Sequence, residues 1–135
     1  MIIQADMTEV CIRIARESDI AEAARYARRV AETLGFPTVQ TYYVATAASE
    51  LAANLVIHAG GGVFRARALG DNNGLELITN DQGPGIGDID KAMQDGYSTA
   101  GGLGCGLPGV QRLMDKVEIE SSAGQGTHVR AYKWR

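Results

Sequence analysis

The sequence predicts an α+β fold, a two-layer sandwich in which helices lie on one face of a mostly antiparallel mixed sheet. Three observations predict it. Short alternating or β-rich segments mark five strands, four of which pair through polar or glycine-rich turns into two hairpins. Two long helical patterns stand side by side in the first half of the chain, without the strand–helix alternation of a parallel βαβ series. The 135 residues, 45% apolar and 21% charged, suit one globular domain over residues 1–135 with a single core.

Each element has a local cause. Val10, Ile12 and Ile14 alternate with Cys11, Arg13 and Ala15, the pattern of a half-buried strand. Asp19 and Glu22 have capping-box spacing, which predicts a helix running to about Leu34 with Ile20, Ala24, Ala27, Ala31 and Leu34 as its buried stripe and Gly35 as its stop. After Phe36-Pro37, Thr38 suits the cap of a second helix, which Gly60-Gly61-Gly62 ends after Ala59. Residues 63–69 and 75–80 read as a hairpin around Asp71-Asn72-Asn73-Gly74. A short helix is expected over residues 88–94. A third begins near Pro108, with Val110, Leu113 and Met114 inward. Residues 117–121 and 127–134 form the last hairpin around Gly124-Gln125-Gly126.

The net charge of −3 argues against broad attraction to nucleic acid or anionic lipid and leaves room only for local basic patches, as at Arg65 and Arg67. No apolar run is long enough for a bilayer, and the first nine residues lack a signal-peptide core. Neither nucleic acid nor a membrane is therefore expected as a partner. Cys11 and Cys105 lack metal or redox spacing, which suits a reducing compartment and predicts a cytoplasmic protein.

Nine of the 17 glycines lie between Gly83 and Gly109. A backbone so bare brings main-chain N–H groups close to an anion, most often phosphate. Gly101-Gly102-Leu103-Gly104-Cys105-Gly106-Leu107-Pro108-Gly109 leads into a helix, where free N–H groups and the helix dipole converge. The alternative is a glycine loop without a ligand. Gly104-x-Gly106-x-x-Gly109 also fits the dinucleotide fingerprint, but no strand precedes it directly. The protein-kinase glycine loop shares those letters, yet no H-R-D or D-F-G follows, and no G-x-x-x-x-G-K-[ST] occurs.

Glu50, Asn54 and His58 recur every four residues. On a helix each such step turns about 40° past a full circle and climbs about 6 Å, so the three share a stripe. A carboxylate and a carboxamide one turn apart supply a base beside a hard-metal ligand; a solvated polar face explains the same spacing. Asp81 ends a strand before Gly83-Pro84-Gly85, where it suits either acceptance from a base amino group or turn chemistry. His58 and His128 lack metal-spaced partners, and Cys105 has no local cause for activation beyond a nearby helix start.

Taken in order, Glu50-x-x-x-Asn54, Asp81-x-Gly83-x-Gly85, Gly102-x-Gly104-x-Gly106-Leu107 and Gly126-Thr127 resemble the ATP-binding domain shared by DNA gyrase, Hsp90, histidine kinases and MutL, the Bergerat-type fold. The likeness covers the whole chain. Within that superfamily Asp81-Gln82-Gly83-Pro84-Gly85-Ile86, Asp95-Gly96-Tyr97-Ser98-Thr99, the Gly101 to Val110 run and Arg112-Leu113-Met114-Asp115 resemble the RsbT-type serine/threonine kinases, the switch kinases of the stressosome. Ile57, where histidine kinases usually have lysine, points the same way.

The resemblance implies ATP and Mg²⁺ as cofactors. It makes Asn54 the Mg²⁺ holder and Glu50 the catalytic base. Asp81, with Gly83, Gly85, Ile86 and Thr127, would bind the adenine. Gly101, Gly102, Leu103, Gly104, Cys105, Gly106 and Leu107 would wrap the phosphates. It implies STAS-domain scaffold or antagonist proteins as substrates, and a PP2C-type phosphatase or other downstream regulator as the partner activated on release. Two alternatives stay open: an anti-sigma factor kinase that sequesters a sigma factor directly, and a mainly non-catalytic partner-switching module.

Overall fold

A computed structural model describes residues 2–83, 85 and 106–135. In chain order the elements are β1 (Ile2–Ala5), β2 (Glu9–Ile14), α1 (Glu17–Thr33), α2 (Thr38–Ala59), β3 (Gly62–Ala68), β4 (Gly74–Asn80), α3 (Leu107–Leu113), β5 (Lys116–Ser121) and β6 (Thr127–Trp134). The six strands form one sheet in the order β1-β2-β3-β4-β6-β5, and every neighbouring pair is antiparallel. The α+β sandwich expected from the sequence is the fold observed. The helix expected over residues 88–94 lies outside the described residues.

Alternation along the strands sorts the sheet into two faces. Val10, Ile12, Ile14, Phe64, Ala66, Leu75, Leu77, Val129 and Ala131 turn toward the helices and form the core with Ala23, Ala27, Val30, Val44, Ala47, Ala48, Leu51 and Leu55. The small alanines let α1 and α2 lie close to each other and to the sheet. Lys133 is the buried cation on this face; its Nζ donates to the Leu113 carbonyl at 2.9 Å, which ties β6 to the C-terminal end of α3. The opposite face carries Arg13, Arg65, Arg67, Glu76, Arg130, Glu118 and Glu120. There the buried Glu76 carboxylate meets Arg67 Nε at 2.5 Å. No helix among the described residues is long and apolar enough to cross a membrane.

Three local expectations need correction. The sheet has a sixth strand, β1, whose residues are all exposed and so give no alternating signal; pairing with β2 forms it, with Asp6 Oδ1 accepting the Thr8 and Glu9 N–H groups at 2.9 Å in the turn between them. Asp19 is not the N-cap of α1. The helix starts at Glu17, and Asp19 Oδ2 reaches back to accept from the N–H groups of Ala15 (2.9 Å) and Arg16 (3.1 Å), while Glu22 pairs with Arg25 instead. Thr38 is the first residue of α2 rather than its cap, because Pro37 occupies the extended position before it. Gly60 ends α2 in the left-handed conformation, as expected. In α1, Ala23 and Val30 are buried, whereas Ile20 and Ala24 are only partly so.

The N–H group of Ala15, with that of Arg16, holds the Asp19 carboxyl below the ordinary aspartate range. A depressed folded pKa stabilises the fold above the unfolded pKa, and that contribution fades as pH falls through the folded value. Asp19→Ala should therefore cost about 1 kcal/mol near neutral pH. The gap between variant and wild-type urea midpoints should close in acid.

Candidate functional site

The sheet's open end carries one row of facing residues. Ile14 pairs with Gly62 and Ser121 with Thr127, and the Asn80–His128 pair places Asp81 beside Thr127. Leu75, Leu77 and Thr79 face the helices, so Asp81, two residues on, continues that face; Val129 and Ala131 place Thr127 there in the same way. Two bonds close the rung. Asp81 N–H donates to the Thr127 carbonyl at 3.0 Å, and Thr127 N–H donates to Asp81 Oδ1 at 3.2 Å. Gly83 N–H donates to the same oxygen at 2.8 Å. Among the described residues nothing donates to Asp81 Oδ2.

Glycines hold this rung between α2 and the β5–β6 hairpin. A Cβ on Gly83 would lie 2.8 Å from the Ala59 Cα, and one on Gly85 would strike the Ser122 carbonyl. Gly126 has φ +82°, and a Cβ there would strike the Asp81 carbonyl. These glycines thus have a packing reason beside any ligand: they let three backbone segments meet around one carboxylate. Ser121 Oγ sits at the end of the row, 2.9 Å from both the Gly126 carbonyl and Thr127 Oγ1.

Behind the rung, on the other face, Asn80 Oδ1 meets His128 Nδ1, and Arg130 Nε donates to His128 Nε2 at 3.1 Å. With Nε2 accepting, the imidazole proton sits on Nδ1 and faces Asn80. Side chains adjacent to Asp81 and Thr127 thereby brace β4 against β6.

Glu50 and Asn54 lie half-buried on α2, away from its buried residues Val44, Leu51 and Leu55, and His58 is exposed in the last turn. The expected stripe exists. Neither the Glu50 nor the Asn54 side chain bonds to another described residue. A carboxamide oxygen of this kind fits a hard cation that takes its other ligands from phosphate and water. The acceptor-lined rung fits the amino edge of a base.

Gly106 precedes α3 with φ +62°, and its carbonyl accepts from the N–H groups of Gly109 (3.1 Å) and Val110 (3.2 Å). The Leu107 side chain is buried in the core, which leaves only its backbone for a ligand. Ile86, Gly101, Gly102, Leu103, Gly104 and Cys105 lie outside the described residues. Ser121, which the sequence reading did not single out, is brought to the same rung by the hairpin register that sets it opposite Thr127.

Residues 14–133 match the family described as the histidine kinase-like ATPase domain. The chain is 51% identical over 126 residues to the serine/threonine-protein kinase RsbT of Bacillus subtilis, covering 92% of this chain and 95% of that protein. It is 36% identical over 105 residues to an anti-sigma F factor of Caldanaerobacter subterraneus subsp. tengcongensis, covering 73% of each. An anti-sigma F factor of a Thermoanaerobacter species is 35% identical over the same length and the same shares.

Gly126→Ala should lower stability by about 2 kcal/mol or more, through left-handed strain and displacement of the Asp81 carbonyl. Urea unfolding of the two proteins checks this.

Proposed function

The chain belongs to the histidine kinase-like ATPase domain family, and we propose that it is an ATP-dependent serine/threonine kinase of the RsbT type that works by switching partners. The observation that carries this reading is the Asp81–Thr127 rung. Oδ1 is fixed by two backbone N–H groups and Oδ2 is left to accept from an adenine amino group.

Asp81 and Thr127 hold the base, with Gly83, Gly85 and Ile86 shaping its pocket. Asn54 holds Mg²⁺, which supplies charge neutralisation to the phosphates when bound. Residues 101–107 are, in this proposal, the ones that bind the phosphates. Glu50, one helical turn before Asn54, takes the proton of the incoming serine or threonine hydroxyl as that hydroxyl oxygen bonds to the γ-phosphorus, the bond from the γ-phosphorus to the β,γ-bridging oxygen breaks and ADP leaves. Positioning and charge neutralisation are what phosphoryl transfer chiefly requires, and a half-buried carboxylate on a rigid helix meets the positioning need.

The protein substrates in this proposal are STAS-domain scaffolds. The partner reached after release is a PP2C-type phosphatase or another downstream regulator, and the setting is the cytoplasm. Likeness to anti-sigma F factors favours a second reading, in which a sigma factor is bound directly. Affinity capture that recovers a sigma subunit, with no STAS protein or phosphatase, would replace the first reading by the second.

Glu50→Gln should slow transfer to a STAS protein by about 10²–10⁴-fold, with ATP affinity within about twofold of wild type by calorimetry. Asp81→Asn should weaken ATP binding by about 10–100-fold, the worth of a charge-assisted hydrogen bond. Wild type that binds no adenine nucleotide in millimolar Mg²⁺ would overturn the proposal.

A further inference from the structure

We infer that the outward face of α2 is the docking surface for the protein that brings its hydroxyl to Glu50, and that it takes a segment carrying an apolar side chain beside a carboxylate. This inference rests on the kinase reading above, which makes Glu50 the base.

A solvated helix face is built from charged side chains, as on α1, where Glu22, Arg25, Arg29 and Glu32 lie off the buried stripe. The outward face of α2 is different. Glu50 is the one Asp, Glu, Lys or Arg over Thr38–Ala59. Val39 is 60% exposed, Tyr42 52%, Tyr43 43% and Ile57 53%. A helix that is apolar outside as well as inside leaves surface in water that a partner would cover. Few charges and exposed tyrosines are the composition of a protein-binding patch.

Helical periodicity ties that patch to the base. A step of four residues turns about 40° past a full circle, and a step of seven stops about 20° short of two. Val39, Tyr43, Glu50 and Ile57 therefore lie along one line, away from the buried Val44, Leu51 and Leu55. Glu50 stands within an apolar ridge. Tyr43 is two turns from it, a rise of about 10 Å. An extended chain advances about 3.3 Å per residue. A segment laid along α2 with its hydroxyl at Glu50 thus covers Tyr43 within about three residues. An occupant of the ridge has to pass the carboxylate that takes the hydroxyl proton, which is why the occupant is the acceptor protein.

Two cations hold the aromatic end. The Arg28 guanidinium lies 4.3 Å from the Tyr42 ring centroid, and the Lys133 ammonium lies 5.6 Å from that of Tyr43. Rings fixed in this way, beside an arginine, are the anchors on which binding energy concentrates. Arg28 comes no closer than 3.9 Å to the Glu32 carboxylate, beyond hydrogen-bond length. Its terminal nitrogens can therefore take a carboxylate from the acceptor.

The test is steady-state phosphoryl transfer to a STAS protein at saturating Mg-ATP. Tyr43→Ala should raise the KM for the STAS protein by about tenfold, with kcat and calorimetric ATP affinity within about twofold of wild type. Tyr43→Phe, which keeps the ring, should match wild type. Val39→Glu should raise KM as well, and it tests the same ridge if Tyr43→Ala folds poorly. Wild-type KM should rise with salt, and Arg28→Gln should flatten that dependence. An unchanged KM in both Tyr43→Ala and Val39→Glu overturns the inference and leaves the kinase reading intact. So does a loss of kcat and ATP affinity at constant KM, which is the mark of a merely structural role. Loss of self-association by light scattering, with KM unchanged, assigns the face to a second copy and overturns the inference too. A wild-type KM indifferent to salt overturns the carboxylate. Wild type that binds ATP yet transfers nothing to a STAS protein overturns both this inference and the kinase reading.

Discussion

One rung of β-sheet pairing organises this molecule. Asp81 and Thr127 are 46 residues apart in sequence and exchange two hydrogen bonds, one through each backbone N–H. The pairing of β4 with β6 brings the end of one hairpin to the start of the other and aligns the helix-facing side chains of both. A slip of one residue would send the Asp81 carboxylate to the opposite face, since side chains alternate with period two. The register is held by the buried pairs Leu75–Lys133, Leu77–Ala131 and Thr79–Val129 on the core side, with the Lys133 ammonium accommodated by the end of α3. Core packing therefore decides where the Asp81 carboxylate points.

The same rung shows how polar groups at the edge of a core stay satisfied. Asp81 Oδ1 receives two backbone donors, Ser121 Oγ reaches both the Gly126 carbonyl and Thr127 Oγ1, and His128 is bracketed by Asn80 and Arg130 on the far side. Each group has a partner that fixes its orientation, so the rung is held in one arrangement by the fold itself.

Much of this was legible in the sequence because the relevant periods were clean. The α2 pattern separates Val44, Leu51 and Leu55 from Glu50 and Asn54, and the structure keeps that separation. Both later hairpins declare themselves by alternation and by glycine or Asp-Asn turns. Strand β1 did not, because an exposed edge strand has no buried face to imprint a pattern. The start of α1 was misplaced because Asp19 can accept backbone N–H groups either as a cap or from within the first turn, and propensity cannot tell the two apart. Ser121 was invisible for another reason: a lone serine acquires meaning only from the residue across the strand, and that depends on a register set by distant packing.

The face of the sheet turned away from the helices has a practical consequence. Its residues alternate in sign across strands, from Arg13, Arg65 and Arg67 to Glu118 and Glu120, and the outer strand β5 displays Lys116, Glu118 and Glu120 at its margin. Stacking a second sheet here would strip water from many ions at once, and adding a foreign strand along β5 would crowd charge against charge. The charged margin of β5 thus disfavours strand addition at that edge, whereas the opposite edge, β1, exposes Ile2 and Ile3 and lacks this protection.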